Sequence, residues 1–254
     1  MPQPKAPSGR HTMLRLAALF CVALISQPAF GDPNKQDRVV AANFPPIMIE
    51  GNQARPGYAI EILQVAAERA SREIDVAFYP LRRGLAIMQS EGSIIFPSLL
   101  RTPERENQFL WLARIGTQFF EFVSRDTPIE TLDQARKLHS IAVPQSGVAD
   151  IFLTSRGFDN LFRVSSSETA FLMLTHGRVD AWLTSEPIAR KYVAQNQTGV
   201  TLAVGQPVHE LTAFIASSPD LSPDIAEAYR AAVETMRTDG TIARIAEKYG
   251  VELD

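Results

Sequence analysis

The feature that most constrains the fold is a repeated alternation of short apolar runs with amphipathic segments. In the first part of the chain the predicted strands lie at residues 38–42, 74–79, 94–96 and 119–123, and the predicted helices begin at Gly57 and at Leu81. The first helix carries its apolar residues on one stripe and its charged residues on the other. Strands that alternate with helices in this way predict a parallel or mostly parallel sheet with helices on its faces.

The alternation stops at the turn residues 124–128 and then starts again. The predicted elements of this second set are helices at 131–138, 146–156, 168–175 and 185–196, with strands at 140–143, 161–164, 181–183 and 200–204. A second set that starts afresh predicts a second α/β lobe.

The last predicted elements have no partner strands of their own. They are a strand at residues 211–217 and helices at 223–238 and 241–249. We expect them to return to the first lobe, which makes that lobe discontinuous. This predicts an α/β fold of two lobes with a doubly crossed hinge: lobe 1 at residues 32–123 and 208–254, and lobe 2 at residues 124–207.

The N-terminal residues have the pattern of a secretory signal peptide. A basic start precedes an uncharged apolar run at residues 16–25, and small residues follow at Ala29 and Gly31. We predict cleavage after Gly31 and a periplasmic location, since the run is too short to span a membrane. The only cysteine, Cys21, lies inside this leader; lipidation at Cys21 is the alternative, although the preceding Phe20 is bulky for a lipoprotein signal.

Charge and motif content exclude several classes of function. The leader contains three of the 25 basic residues and none of the 28 acidic ones, so the remainder has a net charge of −6, without a basic stripe for nucleic acid. The remainder contains three histidines without metal-ligand spacing, and it lacks a glycine-rich phosphate loop and a nucleophile elbow. The serines at 165–167 suit a helix cap. We therefore predict neither a cofactor nor a metal site.

The segment at residues 97–111, PSLLRTPERENQFLW, is the strongest candidate for a binding motif. Thr102, Pro103 and Glu104 match the start of a helical turn, which places Arg105 at its third position. Free backbone amides, the positive end of the helix dipole and a guanidinium would together suit a carboxylate. The alternative is a solvated Arg105 paired with Glu104 or Glu106.

Other candidates follow predicted strands, where ligands of α/β folds bind. They share a position at a strand end or in the first turn of the next helix, and they are Phe44, Tyr79, Arg83, Ser98, Ser146, Gly147, Ser185 and Glu186. A helix cap at Ser146 and a solvated surface position for Arg83 are the structural alternatives.

Several of these residues also occur in motifs of a known family. They are Phe-Pro-Pro at 44–46, Gly57-Tyr58 followed by Glu61, Thr-Pro-Glu-Arg at 102–105 and Gly-Arg-Val-Asp-Ala at 177–181. Their order over nearly the whole mature chain resembles the extracellular solute-binding proteins of family 3, the polar amino acid type that serves ABC importers. The resemblance implies a monomeric two-lobe protein that closes over a small solute, has a membrane permease as partner, and clamps an α-carboxylate with Arg105.

The chain departs from the family pattern at positions that affect specificity. Leu100 replaces a small hydroxyl residue, and Ser185 stands where an aspartate commonly binds the ligand's amino group, with Glu186 one position later. The Gly-Ser or Gly-Thr pair of the second lobe is reversed as Ser146-Gly147, and Trp-Leu-Ala-Arg at 111–114 replaces an aromatic-serine-proline segment. Because a buried ammonium needs a partner, carboxylate recognition is favoured over amino acid recognition.

Three functions follow as hypotheses. The first is a periplasmic binding protein that captures a small carboxylate-bearing solute for an ABC importer. The second is an enzyme similar to the cyclohexadienyl dehydratases, which use the same fold; it would need Glu186 as a general acid. The third is a binding module that presents its closed form to a sensor partner.

Overall fold

The computed structural model describes residues 1–3 and 36–254. The predicted apolar run of the leader, Cys21 and the cleavage site after Gly31 lie outside the described residues. Residues Pro33–Asp254 form one compact unit.

Nine strands form one mixed sheet in the order β2-β1-β3-β9-β4-β7-β5-β6, and β8 pairs with β4. The strands are β1 (Gln36–Ala41), β2 (Glu73–Phe78), β3 (Ile94–Leu100), β4 (Leu110–Arg125), β5 (Ile141–Pro144), β6 (Leu161–Val164), β7 (Ala181–Ser185), β8 (Leu202–Val204) and β9 (His209–Ser217). Strands β2, β1 and β3 are parallel, as are β7, β5 and β6, whereas the pairs that involve β4 or β9 are antiparallel. The predicted α/β arrangement with two parallel sets of strands is confirmed, and it is the two-lobe architecture.

The described residues contain eight α-helices. They are α1 (Tyr58–Arg69), α2 (Leu81–Ser90), α3 (Leu132–Arg136), α4 (Val148–Ser155), α5 (Ser167–Thr175), α6 (Glu186–Ala194), α7 (Pro223–Thr238) and α8 (Thr241–Tyr249). Helix α1 buries the predicted apolar stripe, including Ile60, Leu63 and Ala67. Gly57 precedes it with φ 102°, and a Cβ at that position would lie 2.4 Å from the backbone oxygen of Ile47. Glycine is therefore required where the loop meets the helix.

Strands β4 and β9 connect the two parts of the sheet. Strand β4 has 16 residues, whereas the sequence predicts a strand only at 119–123, and this prediction was too short. Its register shifts at residues 111–113 and 114–116, and these bulges interrupt the alternation that marks a strand in the sequence. Strand β4 pairs with β9 as far as Phe120 and with β7 from Phe120 onward. Strand β4 thus changes its pairing partner at Phe120. The predicted lobe boundaries stay a prediction.

The last elements pack with the first part of the chain. Strand β9 lies between β3 and β4, and α7 and α8 pack against α1. Arg69 of α1 pairs with Asp239 at 2.6 Å, and Lys248 of α8 pairs with Glu61 at 2.8 Å.

Within the described residues, no helix combines the length and apolar character needed to cross a membrane. The same residues contain no group of three His, Cys, Asp or Glu side chains suited to a metal ion.

Candidate ligand-binding site

A mostly apolar cavity lies where the two parts of the sheet meet. The space open to the centres of water-sized groups is about 90 Å³. The walls from the first part of the chain include Phe44, Met48, Ser98, Leu100 and Arg105. Strand β4 contributes Gln118 and Phe120, and the second part contributes Gly147, Val148, Ser167, Leu183 and Ser185. Because residues from both parts surround this space, a bound solute would contact both.

Ser98 reaches the cavity because β3 is irregular. The strand was predicted at residues 94–96, bounded by Pro97, but it continues through Pro97 to Leu100. Its register against β9 shifts between Phe96 and Leu99, which leaves Pro97 and Ser98 in a bulge. A bulge accommodates a proline, which cannot donate to the ladder, and redirects the neighbouring side chain.

Arg105 is a buried cation on the cavity wall. Only 7% of the residue is exposed, and its Nη1 donates to the backbone oxygen of Leu100 at 3.1 Å. No ion pair with an acidic side chain reaches Arg105 in the part of the chain that the structure describes. Burial lowers the pKa of Arg105, and the charge of Glu104 partly opposes this effect. A guanidinium has five N–H donors and stays protonated, so Arg105 presents positive charge and donors to the cavity.

The expected turn is present with Thr102 as its N-cap and Pro103 at its first position, but it does not extend into an α-helix. Residues Pro103–Arg105 form only a single 3-10 turn. The Arg105 amide donates to Thr102 at 3.0 Å, and the Glu106 amide donates to Pro103 at 3.4 Å, so the turn itself uses them. These two amides are therefore not free for an anion, which leaves the guanidinium as the charged donor of this motif. The alternative pairing with Glu106 is also absent, because Glu106 accepts from Arg101 at 2.7 Å.

Two buried hydroxyls on the cavity wall lack hydrogen-bond partners among the described residues. They are the Oγ atoms of Ser185 and Ser167, whose residues are 3% and 4% exposed. Ser185 precedes α6 without capping it through its side chain, and Ser166 caps α5 by accepting from the Thr169 amide at 3.1 Å. Ser166 therefore has the predicted capping role, whereas Ser167 faces the cavity. A buried unsatisfied hydroxyl is unfavourable, so these two groups suit a polar ligand atom.

Comparison with known protein families identifies the family of this chain. The family model for bacterial extracellular solute-binding proteins, family 3, matches residues 38–252. The chain belongs to this family. A probable amino-acid-binding protein, YxeM from Bacillus subtilis (strain 168), is 23% identical over 252 residues that cover 94% of each protein.

Solved structures of similar fold come from binding proteins and receptors. A histidine kinase sensor domain with similarity to periplasmic binding proteins has a TM-score of 0.78 at 16% identity, and covers 87% of this chain and 100% of that chain. A mutant of ArgBP from T. maritima has a TM-score of 0.76 at 18% identity, with coverage of 86% and 96%. The GluR0 ligand-binding core from Nostoc punctiforme, in complex with L-glutamate, has a TM-score of 0.74 at 17% identity, with coverage of 84% and 98%.

The structure of this family 3 solute-binding protein brings together five of the predicted site residues. Phe44, Ser98, Arg105, Gly147 and Ser185 all line the cavity. Their roles in ligand binding stay a prediction.

Four other predicted residues do not line the cavity. The Arg83 guanidinium lies 5.1 Å from the centre of the Tyr79 ring, so these two residues contact each other. The Ser146 amide donates to Asp150 at 3.0 Å. Glu186 pairs with Arg190, one turn along α6, at 2.5 Å. Local partners thus account for residues that looked available in the sequence.

Sequence reasoning missed Gln118, Phe120 and Ser167 of this solute-binding protein. Gln118 and Phe120 lie two positions apart on β4, so both face the cavity. The predicted strand began only at residue 119 and therefore left out Gln118. Gln118 is 4% exposed and lies beside the buried Tyr58, whose pKa burial raises. The available signal in the sequence was the spacing of Gln118 and Phe120, because residues two positions apart on a strand point to the same face.

Glu121 is a buried carboxylate outside the cavity. It follows Phe120 on β4, so its side chain points to the opposite face of the strand. Burial raises the pKa of Glu121 to about 7, and the charge of Glu186 adds to this effect while Arg190 opposes it. In the described part of the chain, Arg105 is therefore the only charged side chain on the cavity wall.

Proposed function

We propose that this solute-binding protein captures a small carboxylate-bearing solute in the cavity and delivers it to an ABC permease in the inner membrane. Within this proposal the protein is a periplasmic monomer, and amino acids are among the candidate solutes. The observation that carries it is Arg105, a buried guanidinium on the wall of an apolar cavity with one hydrogen bond to the protein.

A ligand carboxylate would compensate the desolvation cost of the buried Arg105 guanidinium. Removing a cation from water costs several kcal/mol unless a counter-charge accompanies it. A carboxylate can accept two parallel N–H bonds from one guanidinium, and such charge-assisted pairs are short and strong. Phe44 and Phe120 border the same space and would cover the apolar part of the solute.

Binding calorimetry tests this role directly. We expect Arg105→Ala to weaken binding of the preferred ligand by about 2–5 kcal/mol, because a desolvated carboxylate would lose its partner. Arg83→Ala is the matched control, since it removes the same charge from an exposed position outside the cavity. Equal affinity of the wild type and Arg105→Ala for the best ligand among amino acids and small organic acids would contradict the role of Arg105.

The transport step needs a separate test. Cells that lack this protein should lose uptake of the ligand identified by calorimetry. Normal uptake together with a lost transcriptional response would instead favour presentation to a sensor partner, which the similarity in fold to a histidine kinase sensor domain makes the second candidate. The enzyme hypothesis named Glu186 as its acid, and Glu186 lies outside the cavity, paired with Arg190.

A further inference from the structure

The cavity wall presents one positive charge and a neutral remainder. Arg105 supplies the charge, and Gln118 and several hydroxyls supply the other polar side chains among the described residues. The rest of the wall is apolar and includes Phe44, Met48, Phe96 and Phe120. Its best electrostatic complement is a solute with a single negative charge and an apolar body.

The acidic groups near the cavity are directed elsewhere. Glu121 points to the other face of β4, and Glu186 pairs with Arg190. Asp150, at the start of α4, accepts from Arg163 at 2.9 Å and from the Ser146 amide. An ammonium inside the cavity would therefore meet Gln118, hydroxyls and hydrocarbon, and no counter-charge among the described side chains of the wall, so the cost of burying its charge would not be offset.

Ser185 and Ser167 also favour a ligand without an ammonium group. Their unpartnered hydroxyl groups can donate to a carboxylate oxygen that Arg105 does not bind, or accept from a neutral polar group. They supply dipoles without a counter-charge, so they favour a neutral group over an ammonium in a buried site.

We infer that the solute is a small monocarboxylate without an amino group, with an unbranched or branched apolar body; this inference rests on the proposed carboxylate-binding function. Each water-sized group needs about 10–15 Å³ of such space, so the 90 Å³ cavity holds on the order of six to nine of them. That size corresponds to a short-chain acid.

Matched pairs of ligands test the inference on the full mature chain. The protein is unfolded in guanidinium chloride and refolded to remove any solute carried through purification. Calorimetry then compares isovalerate with L-valine and isocaproate with L-leucine, since each pair differs only by the amino group and both acids fit the size of the cavity. We expect the best acid to bind at least tenfold more tightly than its amino acid, a difference of about 1.4 kcal/mol.

A charge introduced into the wall supplies a second test. Ser185→Asp would place a carboxylate at the unpartnered hydroxyl, and we expect it to reverse the preference within the best pair. Ser90→Asp adds the same charge at an exposed position of α2 and should leave the preference unchanged. Circular dichroism establishes whether each variant is folded. If Ser185→Asp does not fold, the comparison of the ligand pairs on the wild type still decides the inference.

The outcomes separate this inference from the proposed function. An amino acid that binds as tightly as its acid or more tightly, with both lost in Arg105→Ala, overturns the inference and leaves carboxylate binding intact. Failure of every probe to bind, or binding that Arg105→Ala does not weaken, overturns both.

Discussion

Replacing Arg105 by methionine should stabilise the ligand-free protein while abolishing its ligand binding. The residue is 7% exposed, makes one hydrogen bond to Leu100 and has no acidic partner among the described residues. Exchanging buried ion pairs for apolar side chains of similar volume is often neutral or stabilises a protein by about 1–4 kcal/mol, and in the described part of the chain Arg105 lacks even the partner that would offset its desolvation. Loss of the bond to Leu100 offsets about 1 kcal/mol of this gain.

We therefore expect Arg105→Met to raise the free energy of unfolding by up to about 3 kcal/mol in the absence of ligand. For a unit of this size, 1 kcal/mol corresponds to about 2–4 °C, so Tm should rise by up to roughly 12 °C. At a free ligand concentration of about 100 times Kd, the wild type should gain about 2.7 kcal/mol, and the variant should gain nothing.

Urea and thermal unfolding followed by circular dichroism, with and without ligand, measure both effects. Arg105→Lys is the control, because it keeps the charge and loses the planar fork. A ligand-free Arg105→Met protein that is less stable than the wild type by more than about 1 kcal/mol would refute the reasoning, since the guanidinium would then stabilise the fold itself.

Three further predictions concern stability. Asp37→Ala should lower the free energy of unfolding in urea by about 3–5 kcal/mol, because the buried Asp37 pairs with Arg72 at 2.5 Å and accepts from the Tyr229 hydroxyl at 2.7 Å. The pKa of Glu121 is raised to about 7, so the folded state holds its proton more tightly and wild-type stability should fall as pH rises towards 7. Glu121→Gln should remove this dependence and exceed the wild type in stability above pH 7; parallel pH profiles of urea unfolding would contradict it. Gly57→Ala should lower Tm, because φ is 102° and the added Cβ would lie 2.4 Å from a backbone oxygen, and an unchanged Tm would show that the loop relaxes freely.

Local periodicity explains why most helices and strands were predictable. Helix α1 begins at Tyr58 as expected, since its apolar stripe and the preceding glycine are properties of consecutive residues. The restart of the alternation after residue 128 similarly predicts the second set of parallel strands. The extent of β4 was not predictable in this way, because its bulges break the alternation.

The sequence by itself determined the α/β class, the two sets of strands and the importance of Arg105 as a candidate. Only the tertiary structure decided what surrounds Arg105. Gln118 and Ser167 reach the cavity through strand register and helix packing, whereas Glu186 is paired within its own helix. Periodicity reports which face of an element is buried, but the composition of a cavity wall depends on contacts between residues far apart in the chain. Those contacts leave Arg105 as the single charge on an otherwise neutral wall among the described residues.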